Sequence, residues 1–314
     1  MSLHQHLSCC AYVATDLIAG FCGMLGLSLV RSGQRHARYN ASQSVEYIES
    51  YVNHFEDLLG GSGAFRGDVC ELGPGDSLGG GVLYQLRGAE SVTFFERFQR
   101  QPSEQERAIC QLLYENETRK SSLASNDSPP FPAVDPAKAF RVIHGVTAES
   151  YLEHDPARYD LIVSNSVLQH TTDPLPLLQL CYDRLKPGGR MAHVIDLRSL
   201  GILSQWGELA WLSTSPQLHR RMVRHTGRPN RVRYKEYIDW AKASGCNYSV
   251  RIRHLAGSTK HWADVAPKEI PEDAWRASEE FVRRARPGFT PSLRAHSDRE
   301  HAVATFILVL EKPA

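Results

Sequence analysis

Apolar residues recur at two spacings along this chain, and the change from one to the other marks out its elements. Val45, Ile48, Val52, Phe55 and Leu59 stand three or four residues apart, a helical stripe that stops at Gly60-Gly61. Val69 to Leu72 predicts a short buried strand, and Leu78 to Leu86 a helix ended by Gly88. Ser91 to Phe95 reads as a second strand, followed by a helix that opens on a capping box, Ser103 with Glu106. The polar, proline-bearing stretch from Ser121 to Pro136 predicts a surface loop ahead of a third strand, Phe140 to His144. Asp160 to Ser164 is the fourth strand. Asp173-Pro174 then starts a helix lined by Leu177, Leu178, Cys181 and Leu185, which this reading ends at Lys186-Pro187-Gly188-Gly189, before a fifth strand from Met191 to Leu197. A helix from Tyr234 to Ser244 and strands from Tyr248 to His254 and Ala302 to Glu311 complete the series.

Strand and helix thus alternate five times before two closing strands, which implies the α/β class. The expected architecture is a seven-stranded, mostly parallel sheet with an antiparallel edge strand and helices on both faces. Residues 41–314 read as one domain, with insertions at about 121–138, 200–233 and 256–300. Residues 1–40 precede it as an apolar segment and a basic link, Arg31 to Asn40. The apolar segment, Leu7 to Val30, is about long enough to cross a bilayer, yet Asp16 lies inside it and no basic cluster comes before it, which argues against a secretion signal. It predicts one or two short helices, broken near Gly20, Gly23 and Gly26 and packed on the domain, with membrane contact as the open alternative.

Composition narrows the partners more than the fold. A formal net charge of +1 supplies no overall field to gather nucleic acid, so nucleic acid is not an expected partner. Seven cysteines with no C-x-x-C pair describe neither a disulfide framework nor a zinc site, and imply buried thiols in a reducing, cytoplasmic setting, peripheral to a membrane if the N-terminal segment meets one.

The densest chemistry lies in DVCELGPGDSLGGGVLYQLRG, residues 68–88. In open parallel sheets, ligands bind beyond the C-terminal strand ends, and glycines there let backbone N–H groups approach closely. A phosphate-cradling loop is excluded because no lysine follows the glycines. A dinucleotide fingerprint, and with it a nicotinamide-dependent oxidoreductase, would need glycine where Leu78 stands. What remains is acid-x-Gly-x-Gly, Glu71-Leu72-Gly73-Pro74-Gly75, and the acid suggests a cationic ligand.

With Glu96 closing the second strand (VTFFERF), YDLIVSNSVLQH at the fourth and LKPGG before the fifth, the chain resembles the class I S-adenosylmethionine-dependent methyltransferases, a Rossmann-like family, over roughly residues 45–314. The resemblance implies that Glu71 faces the methionine ammonium and that Gly73, Pro74 and Gly75 make room for the methionine and ribose. Asp76 and Ser77 would begin the next helix, and Glu96 would accept hydrogen bonds from both ribose hydroxyls. Thr147 and Ala148 would lie by the adenine, and Asn165 and Ser166 would line the cofactor beyond the fourth strand. The alternative for Glu96 is a solvated acid at a strand end. His144-Gly145-Val146-Thr147-Ala148 also lacks the aspartate that the family often carries there.

The implied reaction is methyl transfer by in-line displacement to a small acceptor, a hydroxyl of a sugar, glycan precursor or aromatic metabolite. A base is needed only where the acceptor must lose a proton. His170, His193 and Asp196 are the candidates, although Gln169 stands where relatives often show an acid. By strand alternation His193 and Asp196 face opposite sides. Structural roles for both histidines stay open, as does a metal-binding role for His193 and Asp196 with His219, His225 and His261; no recognised ligand spacing favours a metal. A protein that keeps this fold for binding or scaffolding, without transfer, is the competing reading. The insertions carry Trp206, Trp211, Arg220, Arg221, Arg224, Arg228, Arg231 and Arg233, then Trp262, Trp275 and Arg283-Arg284-Ala285-Arg286, either an arginine-lined acceptor cap or a solvated helix face.

Overall fold

The computed structural model describes residues 3–24, 36–120, 139–199, 201–225 and 229–314. The expected loop at 121–138, Gly26, Arg228 and the link over 31–35 lie outside these residues.

Strands β1 (Gly67–Leu72), β2 (Ala89–Glu96), β3 (Arg141–His144), β4 (Tyr159–Asn165), β5 (Leu185–Asp196), β6 (Asn247–Leu255), β7 (His261–Val265) and β8 (Val303–Glu311) form one sheet in the order β3-β2-β1-β4-β5-β8-β6-β7. β1 pairs in parallel with both β2 and β4, and β2 with β3, whereas β6 and β7 are antiparallel. The strand order therefore reverses between β1 and β4, the place where open α/β sheets leave a crevice. The central strands are buried apolar runs, as expected of a sheet covered on both faces, with Val69, Cys70 and Leu72 in β1 and Leu161, Ile162 and Val163 in β4.

The sheet has eight strands rather than the expected seven. The extra strand, His261–Val265, lies inside the stretch assigned as an insertion, and its five residues are too few to show a period. Antiparallel pairing with the preceding strand makes it: Ile252 lies opposite Val265 and His254 opposite His261, and the Arg253 guanidinium forks onto the Asp264 carboxylate at 3.0 and 2.9 Å.

A second correction concerns Lys186-Pro187-Gly188-Gly189. The helix before it, Pro174–Asp183, ends earlier, and these residues already belong to β5. Gly188 N–H donates to Lys312 O at 3.1 Å and Lys312 N–H donates to Gly189 O at 2.9 Å, so distant backbone holds the segment extended. Lys186 Nζ lies 2.8 Å from Asp68 and 2.7 Å from Asp160, linking the first residues of β5, β1 and β4.

Two compact units divide the chain. One comprises Val30–Asn165, Leu177–Ala192 and Glu311–Ala314; the other comprises Met1–Leu29, Ser166–Pro176 and His193–Leu310. In the first, helices α2 (Ala41–Leu58), α3 (Gly79–Leu86) and α4 (Glu104–Lys120) pack on one another. α2 begins with Asn40 accepting from Gln43 N–H at 2.8 Å, and it buries Val45, Ile48, Val52 and Phe55, the stripe expected from its spacing.

In the other unit, α1 (Leu3–Met24) is a single helix rather than two short ones. Gly20 lies within it, and the His225 ring occupies the space where a side chain would stand. None of the helices among the described residues is long and apolar enough to cross a membrane.

Candidate functional site

The turn after β1 is built to be tight. Gly73 and Gly75 both have positive φ, 63° and 74°, a conformation costly for residues with a Cβ. Gly73 N–H donates to Phe95 O at 2.7 Å, which aligns the turn with the end of β2. There Glu96 reaches across: Oε2 accepts from Gly75 N–H at 3.1 Å and Oε1 from Phe98 N–H at 3.0 Å. Burial pushes the Glu96 carboxyl above its ordinary range, and these two N–H donors oppose the shift. Each oxygen retains acceptor capacity beyond its one backbone donor.

Glu71 is more deeply placed. The residue is 3% exposed, and its carboxyl lies beneath the first turn of α3 with the Tyr51 and Tyr84 hydroxyls beside it. Burial raises its pKa to about 7, against the lowering influence of the two tyrosines and then of Arg100. Oε2 has no well-formed hydrogen bond. Gly80 explains how α3 comes so near: a Cβ there would strike the Tyr51 hydroxyl and stand 3.0 Å from Glu71 Oε2. The glycines after Leu78 thus serve close helix packing, while those before it shape the turn.

Asp76 and Ser77 precede α3 and do separate work. The Asp76 carboxylate accepts from His36 N–H at 3.3 Å and Ala37 N–H at 2.8 Å, fixing the short helical turn ahead of α2, while Ser77 Oγ accepts from Gly79 N–H at 3.2 Å. Residues 73–76, Pro74 among them, remain partly accessible. Thr147 caps the short helix Ala148–Leu152 by accepting from Ser150 N–H at 3.2 Å, and Gly145 N–H donates to Glu96 O at 3.0 Å, so the loop after β3 is tied to the end of β2. Asn165 closes β4 and donates from Nδ2 to the Tyr47 hydroxyl at 3.0 Å. The sequence-derived positions Glu71 to Ser77, Glu96, Thr147, Ala148 and Asn165 therefore all fall in one unit, around the ends of β1 to β4.

Besides Tyr51 and Tyr84, two residues of this neighbourhood escaped the sequence reading. Arg100 donates to Gly75 O and to the Glu106 carboxylate, and Glu106 Oε1 accepts from Leu78 N–H at 2.9 Å, so the pair braces both ends of the turn. The capping box is therefore half right. Ser103 Oγ does accept from Glu106 N–H at 3.1 Å, but the Glu106 side chain is committed to the turn and to Arg100. Tyr47 is the second; it lies one helical turn before Tyr51, 5.6 Å from it between ring centroids. Its only signal was an aromatic within an amphipathic stripe.

Ser166, His170, His193 and Asp196 belong to the other unit. Ser166 has a positive φ of 60°, uncommon outside glycine, and its N–H donates to Val194 O at 2.9 Å. His170 is partly exposed on a short 3-10 turn, Leu168–His170. Asn230 holds that turn: its Nδ2 donates to Leu168 O at 2.7 Å and Thr171 O at 2.9 Å. His193 is fully buried, and burial lowers its pKa to about 3. Asp196 is gripped by the Arg198 fork at 2.9 and 2.8 Å, which lowers its pKa despite burial.

The arginine run divides by environment. Arg220, Arg221 and Arg224 are exposed. Arg231 donates to Trp211 O at 3.0 Å and Arg233 to Leu197 O at 2.6 Å, and burial lowers both to about 10, so both remain charged near neutral pH. Arg283 and Arg284 pair with Glu280 one turn away, a solvated helix face.

Residues 45–249, more than half of the chain, match the family described as "Methyltransferase domain". An 84-residue stretch is 26% identical to the ubiquinone biosynthesis O-methyltransferase of Idiomarina loihiensis, covering 25% of this chain and 35% of that protein. Over 46 residues, identity to the protein of the same name from Pseudomonas savastanoi pv. phaseolicola is 37%, covering 15% of this chain and 20% of the relative. The chain thus spans about a third or less of the length of these curated relatives. Among solved structures, a SAM-dependent methyltransferase from Archaeoglobus fulgidus aligns over 89% of this chain and 97% of its own, with a TM-score of 0.43 and 13% identity. With its strand order reversing beside an acid-x-Gly-x-Gly turn and the family match running through that turn, the chain belongs to the methyltransferase-domain family.

Proposed function

We propose that the protein transfers a methyl group from S-adenosylmethionine to a hydroxyl of a small acceptor such as a sugar, a glycan precursor or an aromatic metabolite. The observation that carries this reading is Glu96: a buried carboxylate at the end of β2 that touches the glycine turn at Gly75 N–H and still has acceptor capacity for a vicinal diol. The residues present fit the cofactor. Glu96 would receive the ribose hydroxyls, and the accessible backbone of Gly73 to Asp76 would lie against the methionine and ribose. Glu71 would place negative charge beneath a cationic ligand, Thr147 and Ala148 would border the adenine, and Asn165 would line the far side. When bound, the cofactor supplies an activated methyl group, so the protein has to orient the acceptor and exclude water.

A hydroxyl acceptor agrees with the O-methyltransferase names of the relatives, and calls for a base. Of the three candidates, burial leaves His193 a very weak base and Arg198 holds the Asp196 carboxylate, which leaves His170 as the base of this reading. Ser166, with its strained backbone at the end of β4, would fix the chain leading to that turn.

Calorimetry with S-adenosylmethionine tests the cofactor assignment. Wild type should bind, and Glu96→Ala should weaken binding about a hundredfold, the loss of two charge-assisted hydrogen bonds. Absence of binding by a folded wild-type protein would overturn the reading.

A further inference from the structure

Beyond the exposed His4 and His6, the outer face of α1 carries an apolar stripe from Leu7 to Met24. Leu7, Cys10, Ala14, Leu17, Phe21 and Met24 recur at alternating spacings of three and four, and all six are exposed. Leu7, Leu17, Phe21, Met24 and the adjacent Ile18 are each more than half exposed, and they make up five of the nine large exposed apolar side chains among the described residues. Scattered singly, such residues need no explanation; aligned on one helix, they mark a surface that water does not favour.

The opposite face is firmly held. Cys9 and Asp16 are buried, and the Ser8 hydroxyl receives Trp206 Nε1 at 3.0 Å and Gln205 Nε2 at 3.2 Å. His225 N–H donates to both oxygens of Asp16, at 3.1 and 3.0 Å, and its ring covers Gly20. This attachment brings the segment Pro216–Met222 and Arg224 alongside α1, with Arg220, Arg221 and Arg224 exposed. Neither α1 nor Pro216–Met222 contains a glutamate, and Asp16, their one acid, is buried.

We propose that α1 is an interfacial anchor that lies in the surface of an anionic phospholipid bilayer, its apolar stripe among the acyl chains and the neighbouring arginines on the lipid phosphates. No helix among the described residues is long and apolar enough to span, and an amphipathic helix with one apolar face can lie in the plane of the interface. Charge decides between a bilayer and a second copy of the chain. Two copies joined through this face would bring arginines together with no exposed acid on either segment to answer them, whereas an anionic surface answers all three. The inference is independent of methyl transfer.

Sedimentation of the full chain with vesicles tests it. Wild type should bind phosphatidylcholine vesicles containing phosphatidylglycerol about tenfold more than pure phosphatidylcholine, with the excess suppressed by salt. Leu17→Ser with Phe21→Ser, both at exposed positions, should lower binding to the anionic vesicles about tenfold or more. Arg220→Gln with Arg221→Gln should remove most of the lipid preference while the apolar contribution remains. The proposal is overturned if wild type does not bind the anionic vesicles, or if the serine variant binds them as well as wild type. A wild-type dimer in solution that the serine variant turns into a monomer would equally overturn it, by assigning the stripe to a second copy.

Discussion

Glu71 and Glu96 differ in what holds them, and the difference should show in titration. Glu96 has backbone donors on both oxygens, whereas Glu71 is enclosed by Tyr51, Tyr84 and the start of α3, with burial raising its pKa from 4.5 to about 7. A carboxyl whose folded pKa lies above its unfolded value contributes stability that is intact below about pH 4.5 and lost as pH rises through about 7. Glu71→Gln should therefore stabilise the ligand-free protein at pH 8 by about 3 kcal/mol, and flatten the pH dependence of stability between those limits. Urea unfolding of both proteins at pH 4.5 and pH 8 measures this; an equal gain at both values would count against a buried, titrating Glu71. Both acids were legible in the sequence because short local motifs place them at strand ends. Arg100 and Tyr47 were not, since their partners, Gly75, Glu106 and Asn165, come together only through packing.

Among the elements, α3 shows how one stretch of glycines serves two purposes. Gly73 and Gly75 answer a demand on backbone angles that sequence reading can anticipate, while Gly80 answers a demand for space set by Tyr51 of α2. Gly80→Ala should destabilise the protein by about 2 kcal/mol through overpacking, despite alanine's better helix propensity. Adding Tyr51→Phe, which removes the hydroxyl that the new methyl group meets, should restore about half of the loss; thermal unfolding of the two single variants and the double variant forms the cycle. No restoration would show that the clash lies elsewhere. β7 and the first residues of β5 teach the same lesson in the other direction. Their sequences carry breakers or too few residues, and they become strands because β6 and Lys312 offer them hydrogen-bonding partners.

At the scale of the whole molecule, polar contacts join stretches of chain that are distant in sequence. Asp16 and His225, 209 residues apart in sequence, join α1 to the segment after Pro216–Met222. Asp16→Ala should leave the sheet intact and lower the hydrogen-exchange protection of α1 amides about tenfold, since a hydrogen bond to a charged group is worth about 1.5 kcal/mol or more. Protection unchanged in α1 would show that apolar contacts alone hold it. The alternation of helical and extended periods was sufficient to determine the α/β class, the order of most elements and the place of the glycine turn, because each depends on neighbours within a few positions of the chain. The eighth strand, the continuity of α1, the burial of Arg231 and Arg233 and the brace from Arg100 were decided only in the folded chain. Each depends on which surfaces meet once the chain has folded, and a buried hydrogen bond or a filled space can then override what the local sequence prefers.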